Sequence, residues 1–336
     1  MDPTKPLINI GIIGAGEHMT RGHLEHLARD PRVRIAAWHD PKKDAAHGAA
    51  LLESVGASWL TEEEILANPG IGMVFVGSPD RFHIPALLAC IAAGKHVMCE
   101  KPIGVNRLDM NDLREAIDGS AKAGLVLSTC HPRRFDPPIL DLKRMLESPN
   151  EGDHPLRIIV GEIERFEFGF WYHAPSKGDL HVSLLSDHFS HEIDLLRFMF
   201  GVGFDTFSGQ VVHDSERSYR ARGTASGKKH LNFEFCGHRH LEEAGEDKVF
   251  VEIVRLIGTR GSASLHLNTG VLTEERTGKT IPLRPKSYET MFRDLNKNLI
   301  DAALGKETPY IGTENILFNN MSAAALVDCG SFRILD

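Results

Sequence analysis

An apolar run, Leu7, Ile8, Ile10, Ile12 and Ile13, stops at Gly14-Ala15-Gly16 and gives way to a segment able to start a helix. A strand apolar on both faces belongs inside a parallel sheet covered by helices. The two glycines let the chain turn tightly and bring backbone amides close to a ligand. The helix that follows would aim its N-terminal N–H groups and positive dipole end at an anion. Gly14, Gly16, Glu17, His18 and Met19 therefore form a candidate pyrophosphate cradle. Met19 stands where G-x-G-x-x-G has its third glycine, so helix and strand must pack around a larger side chain. An ordinary tight turn would show the same two glycines. A second strand, Val33 to Trp38, followed by Asp40, favours a dinucleotide, because an acidic side chain there would accept hydrogen bonds from an adenosine ribose.

From Leu7 to Cys130 strand-like and helix-like stretches alternate, which is the mark of a doubly wound parallel sheet. The strands are read as Leu7 to Ile13, Val33 to Trp38, a short one near Ser58, Met73 to Val76, His96 to Cys99 and Leu125 to Cys130. Thr61 and Glu64 suit a capping box, and Gly94 suits the end of the helix that begins near Ile84. At 336 residues the chain is long for one core, so two domains are expected, residues 1–130 and 131–336. A net charge of −8 speaks against a nucleic-acid surface. No apolar run is long enough to cross a bilayer, and the N-terminus carries no export signal. The five scattered cysteines show no paired C-x-x-C motif and read as reduced thiols of a cytoplasmic protein.

In such sheets ligands sit beyond the carboxyl ends of the strands. That rule selects Gly77-Ser78-Pro79-Asp80 and Glu100-Lys101-Pro102. The Lys101 ammonium could hold an alcohol and stabilise the alkoxide formed as hydride leaves, although a surface lysine after a strand is commoner. Gly14-Ala15-Gly16 with His23, Ser78-Pro79 with His83, and Ala93-Gly94-Lys95-His96-Val97 running into Glu100-Lys101-Pro102 resemble the Gfo/Idh/MocA family of NAD(P)-dependent oxidoreductases. Arg133-Arg134-Phe135-Asp136-Pro137 resembles that family's crossing into its second domain. The resemblance implies a Rossmann domain first, a catalytic role for Lys101, and cofactor contacts from Ser78, His83, Glu100 and Lys101.

After Cys130 the pattern becomes a helix from about Ile139 to Glu147 and then a series of strands. These are read as Arg157 to Phe168, Thr206 to His213, Tyr219 to Ala225, His230 to Cys236, Val249 to Ile257 and Ser262 to Leu267. Helices near Tyr288 to Leu304 and Thr313 to Val327 close the chain. The second domain is thus α+β with a mostly antiparallel, open-faced sheet, suited to pairing copies into a dimer or tetramer.

Within it, Leu185, Phe189, Ile193, Leu196 and Phe200 line one face of a helix from Leu184 to Phe200, and Asp187, His191 and Asp194 line the other. Asp187 and His191 are four apart, so a carboxylate can orient an imidazole that acts as general base. A solvated face with an ordinary ion pair would show the same spacing. The run Asp187-x-x-x-His191-x-x-Asp194 resembles the family's second-domain motif, which implies that Asp187 and His191 complete a catalytic set with Lys101. Phe189 stands where the family often has glycine. No H-E-x-x-H and no cysteine at ligand spacing support a catalytic metal.

Phe170-Trp171-Tyr172-His173, with Lys177 and His181, reads as an aromatic and polar loop suited to a sugar ring or to a dimer contact. Arg133 and Arg134 could grip a substrate carboxylate or pair with protein carboxylates. Trp171, Tyr172, His173 and Arg133 are the candidate substrate residues. The reading is an NAD(P)-dependent oxidoreductase acting on a small polyol such as a sugar, a sugar derivative or an inositol. Asp40 favours NAD over NADP, although Lys42 and Lys43 stand nearby. The alternatives are an NAD-retaining glycoside-cleaving enzyme and a non-catalytic dinucleotide-binding protein.

Overall fold

The computed structural model describes residues 8–104, 109–148, 155–173, 184–200, 204–215, 217–227, 230–240, 250–329 and 331–334. The chain divides into two compact units. One runs to Pro132 and takes in Phe292–Met321, and the other holds Arg133–Met291 and Ser322–Asp336. The stretch Phe292–Met321, placed in the second domain on sequence, therefore packs with the first.

The first unit runs β1 (Ile8–Ile13), α1 (Glu17–Met19) continued through a π-helical Thr20–Leu24 into α2 (Glu25–Leu27), β2 (Val33–His39), α3 (Ala49–Ser54), β3 (Ser58–Trp59) and α4 (Glu62–Ala67). It goes on through β4 (Met73–Val76), α5 (His83–Ala92), β5 (His96–Cys99), α6 (Asp109–Ala123) and β6 (Leu127–Thr129). The six strands pair in the order β3-β2-β1-β4-β5-β6, all parallel. Ile10, Ile12, Met73, Val74, Phe75 and Val76 are wholly buried, as strands covered on both faces require. β6 is shorter than Leu125 to Cys130.

Local signals behave as their chemistry dictates. Thr61 accepts from the Glu64 amide at 3.2 Å while the Glu64 carboxylate accepts from the Thr61 amide at 2.8 Å, which closes the capping box. Gly94 ends α5 with φ +71°, in the left-handed region that glycine enters without strain. Beside it the buried Lys95 ammonium donates to the carbonyls of Asn68 (2.6 Å) and Ile71 (2.8 Å), tying down the loop after α4. Burial pushes this amine below its usual range.

The second unit begins with α7 (Pro137–Glu147), α8 (Pro155–Val160), β7 (Ile163–His173) and α9 (Leu184–Phe200). The stretch read as one strand from Arg157 is thus helix as far as Val160 and strand only from Ile163. Apolar residues at Leu156, Ile158, Ile159 and Val160 fit either period, and packing chose the helix. There follow β8 (Phe204–Asp214), β9 (Ser218–Gly227), β10 (His230–His240), β11 (Phe250–Gly258), β12 (Ser262–His266), β13 (Val271–Glu274) and β14 (Thr280–Pro282). The chain closes with α10 (Tyr288–Ala303), α11 (Thr313–Cys329) and β15 (Ser331–Ile334). Among the described residues these strands form one nine-stranded sheet, β14-β13-β12-β11-β7-β10-β9-β8-β15, antiparallel except for β7 with β10. β13, β14 and β15 were not read from sequence.

α9 packs on one face of this sheet. Phe166, Phe168, Phe170, Phe233 and Phe235 point to that face and are buried. Phe189 meets Phe235 edge-on at 5.8 Å and Phe200 meets Phe166 at 5.5 Å. The opposite face is mixed, with Trp171, Ile253 and Ile257 beside charged residues that pair across the strands. Arg165 bonds Glu234 at 2.7 Å and Arg255 bonds Glu275 at 2.6 Å.

Candidate functional site

In the first unit the glycine turn is built for close approach. Gly14 has φ +86°, and a Cβ there would lie 2.5 Å from the Ser78 nitrogen and 2.6 Å from the Gly77 carbonyl carbon. A Cβ at Gly16 would meet nothing within 4 Å, and Gly16, Glu17 and His18 are exposed. The turn is therefore closed on its sheet side and open at the start of α1, the shape of a cradle for a ligand's phosphates. The Ser78 hydroxyl, buried beside Gly14, has no hydrogen-bond partner among the described residues. An open cradle and an unsatisfied hydroxyl fit the dinucleotide expected from the sequence.

Met19 has only its backbone to offer a cofactor. Its side chain is buried, and a Cβ added to Gly77 would come within 2.5 Å of the Met19 methyl. Gly77 supplies the room that a glycine at position 19 would otherwise give. The Asp40 carboxylate, at the end of β2, accepts from the Ala15 amide (3.0 Å) and the Lys42 amide (2.9 Å), which fixes it over the glycine turn. Its remaining lone pairs are those open to a ribose. Lys43 stacks its ammonium over Trp59 at 5.3 Å.

His83 differs from a direct cofactor contact. It is buried, with Nδ1 2.7 Å from the Pro102 carbonyl oxygen and Nε2 2.7 Å from the Ser78 carbonyl oxygen. It links the loop after β4 to the loop after β5. On the other flank of Lys101, the Glu100 carboxylate accepts from His23 Nε2 at 3.1 Å, from the Lys101 amide at 3.2 Å and from the Cys130 thiol. Burial alone would raise the Glu100 carboxyl. The hydrogen bond and charge of His23, helped by His18 and Lys101, outweigh it and hold the group at about 2. Burial pushes the Cys130 thiol far up, so it stays protonated. His23, Glu100 and Cys130 are the described residues whose ligand atoms gather within 4.8 Å of one another, and a direct hydrogen bond already joins two of them. Lys101 itself is half-buried.

In the second unit His191 lies on α9, 9% exposed, its ring 6.2 Å from that of His188. Asp187 is one turn earlier on the same helix, and its side chain lies outside the described residues. The supposed polar face of α9 is not a solvated one. Ser190, Glu192, Asp194 and Arg197 are as buried as Ile193 and Leu196. Asp194 is held by Arg134 through two parallel hydrogen bonds of 2.7 Å. Phe189 packs into the phenylalanine core against Phe235.

Two substrate assignments need correction. Arg133 is buried and donates Nε–H and Nη2–H to one oxygen of Glu252, at 2.9 and 2.6 Å, with its guanidinium over Phe168. Lys286 donates to the other Glu252 oxygen. Arg133 thus serves a buried protein carboxylate. Phe170 to His173 is not a loop but the end of β7, hydrogen-bonded between β10 and β11. Strand alternation turns Phe170 toward α9, where its ring lies 4.3 Å from that of His188. It turns Trp171 to the opposite face, stacked 6.0 Å from His238. Trp171 is therefore not beside His191. The side chains of Tyr172 and His173 lie outside the described residues, as do Lys177 and His181.

Comparison with known proteins fits this geometry. A family model described as "Oxidoreductase family, NAD-binding Rossmann fold" matches residues 8–131. Inositol 2-dehydrogenase 2 of Saccharopolyspora erythraea is 28% identical over 311 residues, 88% of this chain and 84% of that one. The uncharacterized oxidoreductase YrbE of Bacillus subtilis is 28% identical over 201 residues, 59% of this chain but 55% of its own length. Several further inositol dehydrogenases align over only 54% to 60% of their length. The crystal structure of scyllo-inositol dehydrogenase from Lactobacillus casei with bound NAD(H) and scyllo-inositol superposes with a TM-score of 0.72 at 19% identity, covering 96% of each chain. Among the described residues no helix is long and apolar enough to cross a membrane.

Proposed function

Because residues 8–131 belong to the Gfo/Idh/MocA oxidoreductase family, with its NAD-binding Rossmann fold, we propose that the chain is an NAD-dependent oxidoreductase acting on a CH–OH group of a small polyol, an inositol before other sugars or sugar derivatives. The observation that carries this reading is the open, glycine-closed turn at Gly14 and Gly16, with the unsatisfied Ser78 hydroxyl beside it and Asp40 fixed above it. The polyol preference is supported by the inositol dehydrogenases among the relatives.

Gly14, Gly16, Glu17 and His18 would hold the pyrophosphate by backbone amides and the helix start, and Asp40 would hold the adenosine ribose. A carboxylate at that place disfavours a 2′-phosphate, so NAD is preferred to NADP. NAD, when bound, accepts or returns the hydride of the substrate carbinol carbon. His191 takes or gives the hydroxyl proton, oriented by Asp187, and the Lys101 ammonium stabilises the negative charge that grows on the substrate oxygen. The enclosed setting of α9 supports this, because a buried base meets the hydroxyl with little competing water. The protein works as a homo-oligomer through the open face of the nine-stranded sheet, to be checked by light scattering.

The test is a panel of inositols, sugars and sugar acids with NAD and with NADP, followed by NADH absorbance. NAD-dependent turnover of a polyol is expected. Lys101→Ala should abolish it while leaving NADH affinity within about threefold, and equal loss of both would remove the assigned role. Net conversion without an absorbance change would point to transient redox with retained cofactor.

A further inference from the structure

The group that sets Lys101 in place is three links long, and its last member is remote in sequence. The Asn296 side chain, on α10, donates Nδ2–H to the carbonyls of Gly22 (2.8 Å) and Phe292 (2.7 Å), so its amide orientation is fixed and Oδ1 is left as an acceptor. That oxygen lies 2.7 Å from His23 Nδ1. The other ring nitrogen, Nε2, lies 3.1 Å from the Glu100 carboxylate. Amide oxygen and carboxylate can only accept, so the fully buried His23 ring donates from both nitrogens. Phe75 and Phe292 meet this ring edge-on at 5.5 and 5.7 Å and leave it one orientation. Glu100, gripped in this way, receives the Lys101 amide at 3.2 Å.

We propose that Asn296 is a positioning residue for Lys101, acting through a doubly protonated His23 that anchors Glu100. The inference rests on the reading of Lys101 as the group that stabilises the substrate oxygen. Without the Asn296 acceptor the imidazole is no longer obliged to carry its second proton, and the Glu100–Lys101 backbone loses a charged anchor. His83, which ties Pro102 to Ser78 on the other side, does not compensate, because it holds a carbonyl two residues from the Glu100 side chain.

The experiment has a part that needs no substrate. In wild-type protein labelled with ¹⁵N-histidine, with His23→Gln used for assignment, both His23 ring nitrogens should carry protons at neutral pH. A ring with one bare nitrogen, or an equimolar metal ion bound at His23, Glu100 and Cys130, would overturn the proposal. The second part is kinetic. Asn296→Leu should lower kcat about 10- to 100-fold, with NADH Kd and substrate KM within about threefold, since misplacement of a reacting group acts on the chemical step. Asn296→Asp keeps the acceptor beside His23 while losing the two Nδ2–H bonds, so its kcat should lie at least about threefold above that of Asn296→Leu even where its thermal stability stays low. A parallel fall in kcat, cofactor affinity and thermal stability, with no rescue by Asp, would reduce Asn296 to a packing residue. If no polyol is turned over, the proposed reaction fails, while the two ring N–H signals still decide the His23 assignment.

Discussion

Replacing Asp194 by Leu removes the carboxylate that the buried Arg134 guanidinium faces through two hydrogen bonds of 2.7 Å. Asp194 is 1% and Arg134 5% exposed, so solvent cannot take over from the lost partner. Breaking such a pair costs about 3–5 kcal/mol, because one charge stays behind in the interior. In a unit of this size each kcal/mol moves the midpoint by about 2–4 °C, so Asp194→Leu should melt about 6–20 °C lower. Arg134→Met alone should cost a similar amount. The double variant exchanges both charges for apolar side chains of comparable volume, and Met keeps the contact with Phe198. Its stability should lie within about 2 kcal/mol of wild type. The assay is thermal and urea unfolding followed by near-UV dichroism and by Trp171 fluorescence in a background lacking Trp38 and Trp59. A loss under about 1 kcal/mol for Asp194→Leu, or a double variant that merely sums the singles, would refute the argument.

Gly14→Ala should lose about 2 kcal/mol or more from its left-handed backbone and the contact with Ser78, and NADH affinity measured by fluorescence should fall at least about tenfold. The Glu100 carboxyl, lowered from 4.5 to about 2, contributes stability that is complete above its unfolded value and is lost as pH falls toward 2. Two and a half pH units correspond to about 3 kcal/mol, so urea unfolding between pH 5 and pH 2 should weaken wild type by that much more than Glu100→Gln. Parallel pH curves for the two would contradict it. Lys95→Met strips the buried Ile71 carbonyl and the part-buried Asn68 carbonyl of a charged donor and should cost about 1–3 kcal/mol, read from the thermal midpoint.

The first unit was largely legible because its signals are local. β1, β4 and β5 are buried on both faces and so carry unbroken apolar runs, Gly14 and Gly94 sit where backbone angles demand them, and the capping box at Thr61 needs only four residues. Lys101 stands out by its place after β5 and Asp187 and His191 by their helical spacing, and the family resemblance implies their shared catalytic role. α9 lies where its apolar stripe predicts, and its other face, for which spacing alone allowed a solvated surface, is buried. Periodicity tells which residues are alike in polarity and says nothing of a polar face buried against Arg134. The end of β7 misled for a related reason. Phe170 to His173 mixes aromatic and polar residues as a binding loop does, and only pairing with β10 and β11 shows that they alternate between two faces of a sheet.

The sequence by itself thus determined a Rossmann unit with a glycine turn and Asp40, a second α+β unit, and the residue types available for chemistry, because each depends on neighbours a few positions apart. Tertiary structure decided which buried charged and polar groups of the protein pair with one another. Glu252 lies 119 residues from Arg133, Asn296 lies 273 from His23, and Asp194 lies 60 from Arg134. A buried charge must find its partner wherever the folded chain brings one, and no local pattern announces a partner at that distance.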